Sequence, residues 1–188
     1  ISETGAGNNL FTGGVKKPIN LKAEFAGNQL TATVSLLSDA TKSVSTTYLY
    51  QGAGAFALGD IGIRSQFSNA TYDNFTVTYT APKPSEEAPT DLVDFAEETS
   101  KDKFNFYHYS DGGFAVQDGK LVPAGEEGEF KAIYKDTNAS FRYVSVDIYP
   151  GDKGINGGLY LDVTDVDHPV DQAEGLYIGV ESDFPKAG

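Results

Sequence analysis

An all-β sandwich is the fold class this 188-residue chain predicts, and three features predict it. Apolar and polar residues alternate with period two along most of the chain, which buries one face of a strand and leaves the other wet or facing a cleft. Thr, Val, Tyr and Phe dominate the alternating runs and suit a pleated, half-buried surface. Turn signals rich in Gly, Asn and Asp punctuate the runs at short spacing, and Gly totals 21.

In chain order, 21–25 and 30–36 flank Ala26-Gly27-Asn28 and read as a hairpin, with Leu30, Ala32, Val34 and Leu36 alternating with Thr31, Thr33 and Ser35. Phe75, Val77 and Tyr79 alternate with Thr76, Thr78 and Thr80. Ala81-Pro82-Lys83-Pro84-Ser85-Glu86-Glu87-Ala88-Pro89-Thr90 is Pro-rich, charged and nearly free of apolar groups, so it reads as an extended tether spanning up to about 30 Å. The stretch 92–98 fits a short helix or, through Leu92, Val93 and Phe95, an opening strand. Three more runs follow: Phe130, Ala132 and Tyr134; Leu159, Leu161 and Val163; Leu176, Ile178 and Val180. Asp111-Gly112-Gly113, Asp118-Gly119, Gly151-Asp152 and Asn156-Gly157-Gly158 read as turns. The chain divides into a lobe at 1–80, the tether at 81–90 and a lobe at 91–188, with no internal repeat.

Composition excludes several classes of function. With 27 Asp+Glu against 14 Lys+Arg, the formal net charge is −13 and no basic face is visible, which argues against a nucleic-acid partner. There is no Cys, hence no disulfide framework, thiolate metal site or Cys nucleophile. No apolar run approaches the ~18–20 residues of a membrane span. The chain lacks an initiator Met and a charged-then-apolar leader, and it reads as a fragment or a mature product.

Gly59-Asp60-Ile61-Gly62-Ile63-Arg64-Ser65, followed by Ala70-Thr71-Tyr72-Asp73-Asn74-Phe75-Thr76-Val77, resembles the last two strands of a concanavalin A-like, laminin-G-like carbohydrate-binding domain. The pattern is similar to fructan-binding module family sixty-six and its relatives. Leu21-Lys22-Ala23-Glu24-Phe25 and Leu30-Thr31-Ala32-Thr33-Val34 match the preceding hairpin. Phe114-Ala115-Val116-Gln117-Asp118-Gly119-Lys120-Leu121 resembles the opening of the same domain, with Phe114 where relatives often carry Trp. Residues 143–149 and Gly157-Gly158-Leu159-Tyr160-Leu161 resemble the strands that follow. The domain's end thus precedes its beginning. The resemblance implies a jelly-roll sandwich in circularly permuted order, with a boundary between two half-domains as the alternative. Long open edges on two half-sandwiches would aggregate, which favours the permutant. A closed single chain is expected as a monomer, and a domain-swapped oligomer is expected from two halves.

Few residues suit catalysis. Glycosidases need two carboxyl groups close together, and no E-x-D-x-x-E string occurs. Glu126-Glu127-Gly128-Glu129 reads as a solvated hairpin tip. No G-x-S-x-G elbow or H-E-x-x-H is present, and only His108 and His168 offer imidazole bases. The expectation is a binding protein rather than an enzyme.

Glycan sites combine aromatic platforms with planar polar groups. Tyr107, His108, Tyr109, Tyr160 and Tyr177 are the candidate platforms, with Arg64, Gln66, Asp165 and Asp167 as polar partners. Asp162, Asp165, Asp167 and Asp171 also crowd around His168, as hard oxygen ligands for Ca²⁺ or as a solvated acidic loop. The resemblance implies a structural Ca²⁺ on Asp73, with Asp94 or Glu97 supplying the opening-strand side. Three N-x-S/T triplets begin at Asn69, Asn74 and Asn138. Together these features predict a non-catalytic, lectin-like module of an extracellular or cell-surface protein. Its net charge of −13 favours neutral glycans or polysaccharides. A structural or adhesin spacer is the alternative, and a small glycosidase a remote one.

Overall fold

The computed structural model describes residues 16–49, 60–79, 90–108, 113–124, 128–135, 141–152, 154–163 and 176–181, and only the backbone of His108, Asp162 and Val163. Thirteen strands form among them: β1 (Ile19–Ala26), β2 (Gln29–Leu36), β3 (Asp39–Leu49), β4 (Asp60–Gln66), β5 (Thr71–Tyr79), β6 (Thr90–Val93), β7 (Phe104–His108), β8 (Phe114–Gln117), β9 (Lys120–Pro123), β10 (Glu129–Tyr134), β11 (Phe141–Tyr149), β12 (Asn156–Val163) and β13 (Leu176–Glu181). One 3₁₀ helix, Glu98–Lys103, precedes β7. The predicted all-β class holds.

The strands make two antiparallel sheets. The larger has eight strands in the order β3-β2-β1-β11-β5-β9-β8, with β6 also on β5. The smaller has five in the order β13-β12-β4-β10-β7. Strands from before and after the tether share both sheets. In the larger sheet β11 lies between β1 and β5, and in the smaller β4 lies between β10 and β12.

Local chemistry explains the elements. In β1, Ile19, Leu21, Ala23 and Phe25 face the core in alternation. Its hairpin to β2 turns at Gly27, whose φ of +63° suits glycine. Asp118 and Gly119 take φ of +51° and +70°, the doubly positive turn that matches the twist of β8 and β9. Asn156-Gly157-Gly158 is no turn: all three residues lie in β12. A Cβ at Gly157 would fall 2.0 Å from the Tyr72 hydroxyl, and one at Gly158 would fall 2.1 Å from the Ile178 carbonyl oxygen. These glycines therefore serve close packing within a strand. The stretch 92–98 resolves into the end of β6 and an irregular segment in which Phe95 takes φ +49°, and the helical turn begins at Glu98.

The core between the sheets is aromatic. Phe75 meets Phe104 at 5.2 Å and Tyr134 at 5.5 Å between centroids, Phe114 meets Phe130 at 5.8 Å, and Phe25 meets Phe141 at 5.0 Å. Such pairs add about 0.5–1.5 kcal/mol each beyond area burial. The Tyr134 hydroxyl donates to Asp91, which ties β6 to β10 across the sandwich. Tyr72 is fully buried, and its hydroxyl donates to the Arg64 carbonyl at 3.2 Å. That bond pins the backbone of β4 where its outward side chains build the site.

Candidate functional site

The outer face of the five-stranded sheet gathers the chemistry. Inward, β4 sends Ile61, Ile63 and Ser65 and β10 sends Phe130, Ala132 and Tyr134, so Gly62, Arg64, Gln66, Glu129, Lys131 and Ile133 point outward by alternation. Register places these residues in rows. Lys131 stands opposite Tyr107 on one side and Arg64 on the other, and Arg64 stands opposite Gly158. Glu129 stands opposite Gln66. Tyr160 stands opposite Gly62 and Tyr177. Directly opposed residues share a face, so Arg64, Gln66, Tyr107, Tyr160 and Tyr177 lie together.

This face is not wet. Arg64 and Lys131 are 5% exposed, Ile133 2% and Tyr160 1%. Buried cations need partners, and Glu129 supplies one oxygen to both. Its Oε1 lies 3.6 Å from Arg64 Nε and 3.7 Å from Lys131 Nζ. Arg64 also donates through Nη2 to the Gln66 amide oxygen at 2.7 Å. Its guanidinium lies over the Tyr177 ring, 4.3 Å from the centroid. Lys131 lies 5.8 Å from the Tyr160 centroid. Burial pushes the Tyr177 hydroxyl up to about 12, with the positive Arg64 pulling the other way.

Glu129 corrects the sequence reading. It was expected at a solvated tip, yet its side chain is 11% exposed and holds both cations. The available signal was Glu129, Lys131 and Ile133 at alternate positions, with Arg64 the only outward cation in the neighbouring match. Asn156, read as a turn residue, is a buried member of β12 with 6% exposure. Tyr160 has almost no accessible surface, so its ring offers no open platform in this arrangement. His108 pairs with Phe130, one position out of step with Tyr107. The side chain of His108 and the whole of Tyr109, Asp165 and Asp167 lie outside the described residues.

The expected Ca²⁺ ligands sit elsewhere: Asp73 on β5 of the larger sheet, and Asp94 and Glu97 in the segment between β6 and the 3₁₀ helix. Asp73 stands opposite Asp147 beside a register shift in the β5–β11 ladder, and Asn74 there has φ +47°. Asp147 is already engaged: Asn20 Nδ2 donates to one oxygen at 2.7 Å and Asn74 Nδ2 to the other at 2.9 Å. Asp73 accepts from the Asn74 N–H at 2.7 Å. Burial raises the Asp73 carboxyl above the usual carboxylate range. The Asn74 bond and Lys120 oppose that rise, while the charges of Asp147 and Asp94 add to it. Asp94 accepts from the Ala96 N–H, and Glu97 is exposed just before the 3₁₀ helix. Among the described residues no three or more His, Cys, Asp or Glu are grouped to hold a metal ion. Asp73, Asp94 and Glu97 alone thus do not make a complete cation site.

No helix among the described residues is long and apolar enough to cross a membrane. No protein-family model and no curated protein matches the chain.

Proposed function

We propose that this chain is a non-catalytic carbohydrate-binding module that takes neutral glycans on the outer face of its five-stranded sheet. The observation that carries the reading is the convergence on one face of five candidates chosen from sequence: Arg64, Gln66, Tyr107, Tyr160 and Tyr177. Planar amide and guanidinium groups beside tyrosines are the means by which proteins orient sugar hydroxyls and ring faces. The partly exposed Gln66 and Tyr107 would meet the sugar beside Arg64, which lies under the Tyr177 ring, while buried Lys131 and Tyr160 hold the face in place. The wider proposal is a jelly-roll sandwich in permuted strand order, monomeric, within an extracellular or cell-surface protein, with Ca²⁺ at Asp73 completed by ligands beyond the described residues.

Among the described carboxylates of this face, the spacing favours binding over hydrolysis. Glycosidases place their two carboxyl groups at most about 9.5 Å apart. Glu181 stands on β13, three strands from Glu129 on β10, which separates the backbones by roughly 14 Å. Asp60 lies six positions along β4 from Gln66, the residue opposite Glu129, or roughly 20 Å.

One observation favours the rival reading of a structural or adhesive spacer: the burial of Tyr160, Arg64 and Lys131 to 5% exposure or less. Binding of the labelled chain to immobilised neutral polysaccharides separates the two. Retention on a coherent set of them, lost in Arg64→Ala, supports the module reading. A folded, monodisperse chain retained on none supports the spacer.

A further inference from the structure

We propose that the Tyr177 ring is a lid over a dry polar seat formed by Arg64, Glu129 and Asn156, and that glycan hydroxyls fill this seat when the ring swings away. The proposal rests on the glycan-binding reading and specifies how that face takes its ligand.

Buried polar atoms on the face that make no hydrogen bond include Arg64 Nε, Glu129 Oε1 and Asn156 Oδ1, and the Tyr177 hydroxyl is buried with them. The separation of 3.6 Å between the first two is an ion pair but too long for a hydrogen bond. Native proteins rarely leave such groups unsatisfied, and each one calls for an explanation. Asn156 lies next to Gly157, which pairs with Ser65, so it sits on β12 alongside Gln66.

The Tyr177 ring lies over the Arg64 guanidinium and packs beside Ile133 and Tyr160. A Cβ at Gly179 would fall 2.1 Å from Cζ of Tyr177, so the ring lies in a recess that only glycine leaves open. Gly179 pairs with Gly158, and Gly158 pairs with Arg64. No side chain therefore stands between the ring and the guanidinium beneath it. Tyr177 belongs to β13, an end strand of the sheet that is only partly buried. Rotating the ring about χ1 would break its contacts with Arg64, Ile133 and Tyr160 on this face and leave the core between the sheets in place.

A hydroxyl matches the uncovered seat. It has one proton to donate and two lone pairs. It accepts from Arg64 Nε–H while donating to Glu129 Oε1, and an adjacent hydroxyl donates to Asn156 Oδ1. The ligand class is thus a neutral sugar with neighbouring hydroxyls. A uronate would bring its negative charge against Glu129.

The test is binding kinetics of the full chain on immobilised neutral oligosaccharides of glucan, xylan, mannan and fructan type. Gly179→Ala displaces the ring, and Tyr177→Ala removes it. If the open state is about one tenth populated, each variant tightens binding on the order of tenfold, through a faster association rate. Glu129→Gln weakens it. Lost binding in a folded Tyr177→Ala would make the ring a stacking platform and overturn the lid. Unchanged affinity in both Tyr177→Ala and Gly179→Ala also overturns it, and in either case the glycan reading stands. No binding by the unmodified chain or by either variant takes down both.

Discussion

The outer faces of the two sheets are built from similar alternating sequence and end in opposite physical states. On the larger sheet, Thr31 meets Thr47 at 3.3 Å and Thr33 meets Ser45 at 2.8 Å, all in hydroxyl pairs open to solvent. Lys22 pairs with Glu24 at 3.2 Å and lies over the Tyr143 ring at 4.6 Å, again with substantial exposure. On the smaller sheet, the comparable positions carry Arg64, Lys131, Glu129 and Tyr160, and these are closed off from water. An exposed ion pair is worth about 0–1 kcal/mol, because water already solvates both charges. A buried pair matters mainly when it is broken, since the surviving charge is then left dry. The comparison shows where a polar residue is decorative and where it is structural or functional.

Four outcomes sharpen this contrast, beginning with the largest. Tyr160→Ala should lower unfolding free energy by about 3–5 kcal/mol in denaturant melts, the cost of a large buried side chain. A loss under about 0.5 kcal/mol would mean that the face is wet after all. Glu129→Ala should cost about 3 kcal/mol, because it strands Arg64 and Lys131 together. A cost no larger than that of an exposed pair would break the comparison at its centre.

A smaller effect comes from Asp73. Its carboxyl sits above the ordinary carboxylate range because burial disfavours the charge. The folded state therefore holds a proton more tightly than the unfolded one. The resulting penalty is present above the raised folded value and disappears as pH falls below the unfolded value of about 3.9. In EDTA, Asp73→Asn should raise Tm slightly at neutral pH, and the gain should vanish in that acid window. If Ca²⁺ uses Asp73, adding the metal to the unmodified chain raises Tm, and Asp73→Ala removes that response. A melt insensitive to EDTA would exclude the metal. The smallest effect belongs to Thr33→Ala, expected within about 0.5 kcal/mol of the parent in the same melts.

The hairpin of β1 and β2 and the turn at Asp118-Gly119 were legible because glycine at positive φ leaves a local sign in the chain. The burial of the smaller sheet's outer face was not. Period two states that Lys131 and Ile133 leave the core-facing side, yet whether that second side meets water depends on what stands beside it. The pairing of β10 with β4, which brings Glu129 to Arg64 across a long sequence separation, has no local signature. Asn156-Gly157-Gly158 misled for a related reason. Glycine marks a turn and a close approach alike, and only Tyr72 reaching across the core tells which applies at Gly157. The candidate site residues were legible as residue types, and their placement on one face came from the register.

The most direct measurement is the binding of the labelled chain and its Arg64→Ala variant to a broad array of glycans and polysaccharides in Ca²⁺ buffer. The account predicts signal on a coherent group of neutral glycans for the parent, lost or strongly reduced in the variant, with both chains folded. A blank array from a folded, monodisperse parent, or a signal that Arg64→Ala leaves intact, would contradict it.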